Sequence, residues 1–351
     1  MRQGSFDNVE EQAEPTLFPG ADPDDGDHRG GPGLGSPAGE HRGGRQGVRR
    51  GGGGDTLPMI DSITRALNWD AVMGWFHVLN DLSIVYVIIP FFFVELIRYA
   101  FVKRLSLDVI RDSVANVITF FSFVAIEYAL GLLFVTKLYF WIYENFSLAH
   151  LSLNWVTIVT CVLLADLAYY WDHRMMHRVG VGWATHTVHH SSPHFNMSVA
   201  YRFGPLDAVF PLLFSFPIVM LGYHPILVLL SEVLVQQFQA ILHTETIRKL
   251  PRPVEFLFNT PSHHRVHHGS NRQYWDKNYA GMLIIWDRMF GTFEPEVEPV
   301  VYGIEQPINS NNPIKVFLHG IQRLTRKIFR TRGIRNKLRV LVKPPDWRAS
   351  E

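Results

Sequence analysis

Between Trp171 and His268 lie 12 of the chain's 17 histidines. They fall into three clusters: His173-x3-His177, His186-x2-His189-His190 and His264-x2-His267-His268. Spacings of three and four residues stack side chains on one helix face, so each cluster can turn two or three imidazoles in one direction. Neutral imidazole suits iron, zinc, copper and nickel, whereas magnesium and calcium prefer oxygen. Eight such rings exceed what one ion accepts and suit two, each keeping a position open for oxygen or substrate. Ring nitrogens bind only when deprotonated, so the site must fail as pH falls toward about 6.5. A single HxxxH is an ordinary pair of helix-surface histidines; three clusters in one stretch are not. The HExxH signature of zinc proteases is excluded, because Arg174 follows His173.

Other residues could join or support the clusters. Glu232, Gln236, Gln239 and His243 are spaced i, i+4, i+7, i+11 and share one helix face. Polar groups at membrane depth face a bundle interior or cavity, which brings in His243 as a further candidate ligand. Asp166 stands two turns before His173 on the same face. A buried acid there can hold the far ring nitrogen of a ligand or make a plain interhelical hydrogen bond. Glu245 is a second candidate for an acid behind the metal, or a helix-end surface carboxylate. His194 and His263 adjoin the clusters off their spacing. His224 sits in the turn Gly222-Tyr223-His224-Pro225 on the far side. His28, His41, His77, His150 and His319 are isolated.

The elements that must position these groups are apolar. Net charge is +1, which gives no bulk case for nucleic acid, and 25 phenylalanines sit among apolar blocks that point to membrane. Cys161 is the only cysteine, so no intrachain disulfide and no cysteine metal cluster exists. Redox chemistry would fall to the histidines. Spanning needs about 20 apolar residues. The candidate blocks are Leu79 to Val102 with a kink at Pro90, Ser113 to Thr136, Trp155 to Trp171, and a hairpin of Pro205 to Gly222 and Pro225 to Leu242. Arg98, Lys103, Arg104 and Arg111 mark the loop after the first block as cytoplasmic, and the loop Lys137 to Asn154 falls opposite. The chain then returns to the cytoplasm as His173 arrives. Thr260 as N-cap, Pro261 at the first helical position and Gly269 as a stop predict a short helix for the third cluster. Lys315 to Lys343 carries 10 basic residues and no acid. It suits a helix on an anionic membrane surface, and stacking aromatics for RNA are scarce in it. In residues 1–58, 12 of the 27 glycines crowd between Gly30 and Gly54. Such a Gly/Arg-rich tail buries too little surface to order and lacks a signal-peptide core. Met59 is a candidate true start. The expected fold is all-α: a multi-pass transmembrane helical bundle of about four to five spans, with a cytoplasmic histidine-rich helical cap.

HRMMH, HTVHHSSPHFNMS and HHRVHH resemble the three-box pattern of the fatty acid hydroxylase and sterol desaturase superfamily, integral-membrane, oxygen-dependent enzymes with a histidine-bound di-iron centre. With AYYWDHRMMH, ILHTE, NTPSHHRVHHGSNR, DKNYAGMLIIWDRMFGTFEPE and VVYGIEQPIN, the resemblance narrows to the alkylglycerol monooxygenases, over roughly residues 165–310. It implies that His173, His177, His186, His189, His190, His264, His267 and His268 hold two irons, with His243 as a further family histidine. It also implies tetrahydrobiopterin as electron donor and a membrane lipid and O2 as substrates. The ether-linked alkyl chain would be hydroxylated to give fatty aldehyde and glycerol. Arg178 departs from the pattern, which has glutamate there, and supplies no carboxylate to pterin or substrate. Asn278, Tyr279, Trp286 and Asp287 lie in shared stretches without a role. The boxes equally permit a sterol, fatty acyl or carotenoid hydroxylase or desaturase, and a membrane protein that binds or moves metal without catalysis is a further alternative. The expected organisation is a tail over 1–58, transmembrane helices over 59–154, a hydroxylase-like catalytic domain over 155–310 and a basic tail over 311–351. The site would face the cytoplasm, in the endoplasmic reticulum of a eukaryote or the cytoplasmic membrane of a bacterium.

Overall fold

The computed structural model describes residues 69–81, 86–102, 104–130, 134–207 and 209–349. Segment 1–58 and Met59 lie outside the described residues. The first helices are α1 (Trp69–Asp81), α2 (Ile89–Phe101), α3 (Leu107–Leu130) and α4 (Thr136–Phe146). The middle of the chain holds α5 (Trp155–Arg178), α6 (Gly180–His190), α7 (Phe210–Met220), α8 (Pro225–Ala240) and the short α9 (Arg252–Leu257), α10 (Pro261–His267) and α11 (Ile285–Met289). Two helices close the chain, α12 (Pro313–Arg330) and α13 (Ile334–Val342). No strand occurs among the described residues, only a lone backbone bridge between Gly269 and Tyr302. The fold is all-helical, as the sequence predicts.

Local chemistry sets most boundaries. Asn154 caps α5 by accepting from Thr157 N (3.0 Å), and Thr260 caps α10 by accepting from His263 N. Pro90 lies in the first turn of α2. Residues 86–88 just before it are π-helical and Ile88 keeps helical backbone, so Pro90 stands where the winding changes, a place where helices kink. Thr136–Phe146 is helical where a loop is expected: Val135, Tyr139, Ile142 and Tyr143 recur at helical spacing and pack on the core, and Tyr139 is wholly buried. That core joins α4, α5, α7 and α8 through Cys161, Ala165, Ile218, Val219, Leu227, Val228 and Val235.

Leu107–Ala129 and Trp155–Arg178 are long and apolar enough to cross a bilayer, and α7 and α8 are shorter apolar helices. Val114, Val117, Ile118 and Phe121 on α3, with Val156, Val159 and Leu163 on α5, are exposed. An outward apolar face on a spanning-length helix belongs to a helical membrane protein. α5 outruns its apolar block and carries His173 and His177 on its last two turns.

Buried polar ties hold α6 in place. Arg202 is 1% exposed. It donates from Nη1 to Asp112 (2.9 Å) and Asn116 (2.6 Å) on α3, and from Nε to the Val188 carbonyl (2.9 Å) on α6. The basic stretch is not a free tail. α12 packs on α6 and α3, and α13 packs on α6. Gly320 meets the Ala184 carbonyl so closely that a Cβ would overlap it, and Gly180 is set likewise against the Val340 carbonyl. Gly320→Val is therefore expected to push α12 off α6 and cost about 1–3 kcal/mol, as overpacking does; a lower thermal midpoint than the parent protein checks this.

Candidate metal centre

Two buried groups of imidazoles form where α5, α6, α10 and the end of α8 meet. His173, His177, His186, His190 and His267 each offer a nitrogen within 4.8 Å of the others, and His189, His243, His264 and His268 do the same. The i, i+4 pairs stay together: 173 with 177, 186 with 190, 264 with 268. The i+3 members part from them, since three residues advance a helix by about 300° and four by about 400°. His189 therefore leaves His186 for the four-ring group, and His267 leaves His264 for the five-ring group. Helices α6 and α10 each serve both groups, a division the expectation of one direction per cluster missed.

Backbone carbonyls set the ring tautomers. A carbonyl only accepts, so the nitrogen facing it carries the proton. His173 Nδ1 donates to the Tyr279 carbonyl (2.9 Å), His189 Nδ1 to Arg202 (3.2 Å), His243 Nδ1 to Gln239 (3.0 Å) and His267 Nδ1 to Lys277 (3.0 Å). Each Nε2 is then a bare lone pair. Yet His243 Nε2 and His189 Nε2 face one another at 3.2 Å, two acceptors with no proton between them. His243 Nε2 is also 2.9 Å from His264 Nε2, and His173 Nε2 is 3.0 Å from His186 Nε2. His177 Nε2 and His267 Nε2 are buried without a hydrogen-bond partner. A buried polar atom left unpaired costs about 1–3 kcal/mol. A cation among these lone pairs removes that cost.

Burial also keeps the rings neutral. The nine are between 1% and 8% exposed. Desolvation, then the neighbouring rings, pushes His186, His190, His264 and His268 well below the usual imidazole range. Desolvation holds His267 at about 4 and His243 at about 3.

A strap from Asp276 to Ala280 backs the five-ring group. Lys277 and Tyr279 give the carbonyls that orient His267 and His173, and the Tyr279 ring packs on His173, His177 and His267. Asp276 (φ 59°) and Asn278 (φ 55°) take left-handed backbone, which Asn and Asp tolerate better than most residues. Asn278 locks the strap by donating to the His263 (3.1 Å) and Glu294 (2.8 Å) carbonyls. Asp287 accepts from Tyr279 N and Ala280 N, both at 2.8 Å. Arg265 clamps the chain after His243 to the third box: Nη1 donates to the Thr244 (3.0 Å) and Ile247 (2.7 Å) carbonyls, while Nε and Nη2 grip Glu296. Arg202 and Arg265 escape sequence reasoning, their one signal being a charge amid otherwise apolar or histidine-rich runs; Asp287 is found by its shared stretch, but its role is not.

The two acids proposed to stand behind the rings are engaged elsewhere. Asp166 accepts from Met282 N (2.6 Å), Leu283 N (3.0 Å) and Trp286 Nε1 (2.8 Å), so it holds the approach to α11, and a backbone carbonyl takes the far nitrogen of His173 instead. Glu245 pairs with Arg104 at 3.0 Å. Arg178 pairs with Asp276, whose Oδ1 is 3.9 Å from His177 Nδ1, and so closes the outer side of the five-ring group. His194 pairs with Asp108 (2.9 Å), His263 with Glu255 (3.0 Å), and His224 caps α8; all three stand outside the groups.

This arrangement can be set beside known proteins. Residues 158–292 match the fatty acid hydroxylase family. The matched segment runs from within α5 to just past α11 and holds all nine rings. Human alkylglycerol monooxygenase is 44% identical over 212 residues, covering 60% of this chain and 47% of that protein. The alkylglycerol monooxygenase of Xenopus tropicalis is 41% identical over 220 residues, with the same coverage of 60% and 47%. The ornithine lipid hydroxylase OlsE of Rhizobium tropici is 30% identical over 143 residues, covering 40% of this chain and 43% of that one. The chain spans about half the length of the alkylglycerol monooxygenases it matches. No solved structure gives a significant match. The hydroxylase family and an all-imidazole, water-poor donor set fit iron.

Two outcomes follow. A metal on these rings competes with protons, and the depressed values of His267 and His243 put the stabilising effect of neutral rings fully in place above about 6.5. Metal content and stability should both fall as pH drops from there toward about 4, which metal analysis after stepwise acidification reads directly. Asp287→Ala leaves Tyr279 N and Ala280 N without their acceptor. It is expected to cost about 3 kcal/mol and to lower metal affinity about 10–100-fold by loosening the strap, measured by chelator competition.

Proposed function

We propose that this protein is a membrane lipid monooxygenase that cleaves alkylglycerols at the ether bond, with two irons held by the nine rings. The convergence of nine buried, neutral ring nitrogens into two groups carries this reading. The 44% identity to human alkylglycerol monooxygenase supports the choice of substrate. His173, His177, His186, His190 and His267 are assigned to one ion, and His189, His243, His264 and His268 to the other.

A saturated carbon has no acidic proton and no leaving group, so acid–base residues alone cannot attack it. Iron supplies the change of oxidation state and the activation of dioxygen. The chain supplies the rest. The carbonyls of Tyr279, Lys277, Arg202 and Gln239 hold their rings with Nε2 inward. Burial keeps bulk water from the centre. The rings lie at the end of α5, a helix of spanning length, so a lipid can stay in the bilayer while its ether carbon reaches the metals.

The balance is simple. One oxygen atom of O2 enters the C–H bond beside the ether oxygen. The other leaves as water, taking two electrons and two protons from a reductant, for which a reduced pterin such as tetrahydrobiopterin is the proposed source. The resulting hemiacetal breaks its C–O bond and yields fatty aldehyde and glycerol. Arg98, Arg104 and Arg111, with the basic α12 and α13, support a centre on the cytoplasmic side.

The test uses membranes containing the protein, labelled alkylglycerol, oxygen and reduced pterin. Labelled aldehyde that needs both oxygen and pterin is the expected product. His267→Ala should cut turnover by more than about 100-fold and lower iron content, while His224→Ala, far from the rings, keeps both near the parent level. An iron-loaded preparation that makes no aldehyde would overturn the ether-lipid reading and turn the search to sterols and acyl chains.

A further inference from the structure

The arginines around the rings have an acid beside them. Arg98 and Arg104 share Glu245, Arg178 meets Asp276, Arg202 meets Asp112 and Arg265 meets Glu296. The stretch Lys315 to Lys343 differs: none of its 10 basic residues makes an ion pair with a described acid. The inner faces of both helices are satisfied. α12 buries Val316 and Gly320 against α6 and α3, and α13 buries Val340 against α6.

The outer face of α13 is not satisfied. Ile334, Leu338 and Val342 stand at i, i+4, i+8, one continuous stripe, at 74%, 57% and 62% exposure. Phe329, at the end of α12, is 76% exposed. Arg335, Arg339 and Lys343 each follow a stripe residue by one position, about 100° around the helix, and Lys337 flanks the other side. Basic side chains can lay their apolar stems along such a stripe and lift their charges clear of it.

We propose that α12 and α13 form an interfacial docking surface for a bilayer that carries anionic lipid. The stripe and Phe329 would enter the acyl boundary, and the flanking Arg and Lys would meet phosphates. Asp346 offsets part of the charge at Lys327, and the occupant must satisfy the remaining positive field and a bare apolar stripe together. An anionic bilayer offers both, and α12 already packs on α3, a helix of spanning length. Gly180 N donates to the Lys343 carbonyl at 3.0 Å, so the docked pair is fastened to the helix that carries the second box. This surface does not depend on the proposed reaction.

Cys161 is the only cysteine and is buried, so Leu338→Cys in the full chain takes a spin label at one place. The protein is reconstituted in nanodiscs of phosphatidylcholine, with or without phosphatidylglycerol. In the anionic discs the label should gain access to oxygen and lose access to a water-soluble nickel chelate; in the neutral discs it should remain water-accessible. The double variant Arg335→Glu, Arg339→Glu, built on exposed or half-buried positions, should lose this shift while keeping its metal content. Equal accessibility in both discs overturns the proposal. Protection that follows protein density regardless of lipid charge overturns it in favour of a second copy of the chain, and protection that appears only with added RNA overturns it in favour of nucleic acid.

Discussion

Bare nitrogen lone pairs held face to face in a dry interior are the constraint on which this structure rests. His189 and His243 each direct an N–H to a carbonyl, and their other nitrogens confront one another at 3.2 Å. Such an arrangement persists only if the surrounding fold enforces it and a positive charge relieves it. The fold's effort goes into enforcement. α5 delivers one pair of rings, α6 and α10 divide theirs between two groups, and α8 ends where His243 turns inward.

The supports are polar because the rings are. Imidazoles that must point a lone pair inward need their other nitrogen held, and main-chain carbonyls do this without adding charge. Those carbonyls need fixing in turn. Asp287 and Asn278 hold the strap, Arg202 holds the junction of α3 and α6, and Arg265 holds the chain after His243. Apart from Asp276 beside His177, carboxylates and guanidiniums thus stand behind the backbone and not against the rings. This is why Asp166 and Glu245, which a residue-by-residue search offers as acids behind the metal, are occupied elsewhere.

Helical spacing made the rings and the all-α class legible, because period and cap chemistry act over a few residues. Thr260, Pro261 and Gly269 bound α10 as their types demand. What stayed hidden depends on distant partners. Whether His189 sides with His186 or with His243 is decided by the packing of α8 and α10, which spacing does not report. Thr136–Phe146 read as a loop because its aromatics resemble interface residues until the core they fill is known. The basic stretch read as a tail because its apolar half is only meaningful opposite α6.

The strap has a consequence for biogenesis. His173 leaves the ribosome 106 residues before Tyr279, the residue whose carbonyl sets its tautomer. His267 waits only ten residues for Lys277. During synthesis the first box therefore sits in a finished helix with its rings free to rotate and to take a proton. Long-range closure of this kind is slow relative to helix formation. The newborn chain passes through a stage with its first helices formed and its rings uncommitted. The carbonyls that orient His173 and His267 are in place only after the strap has emerged and folded back.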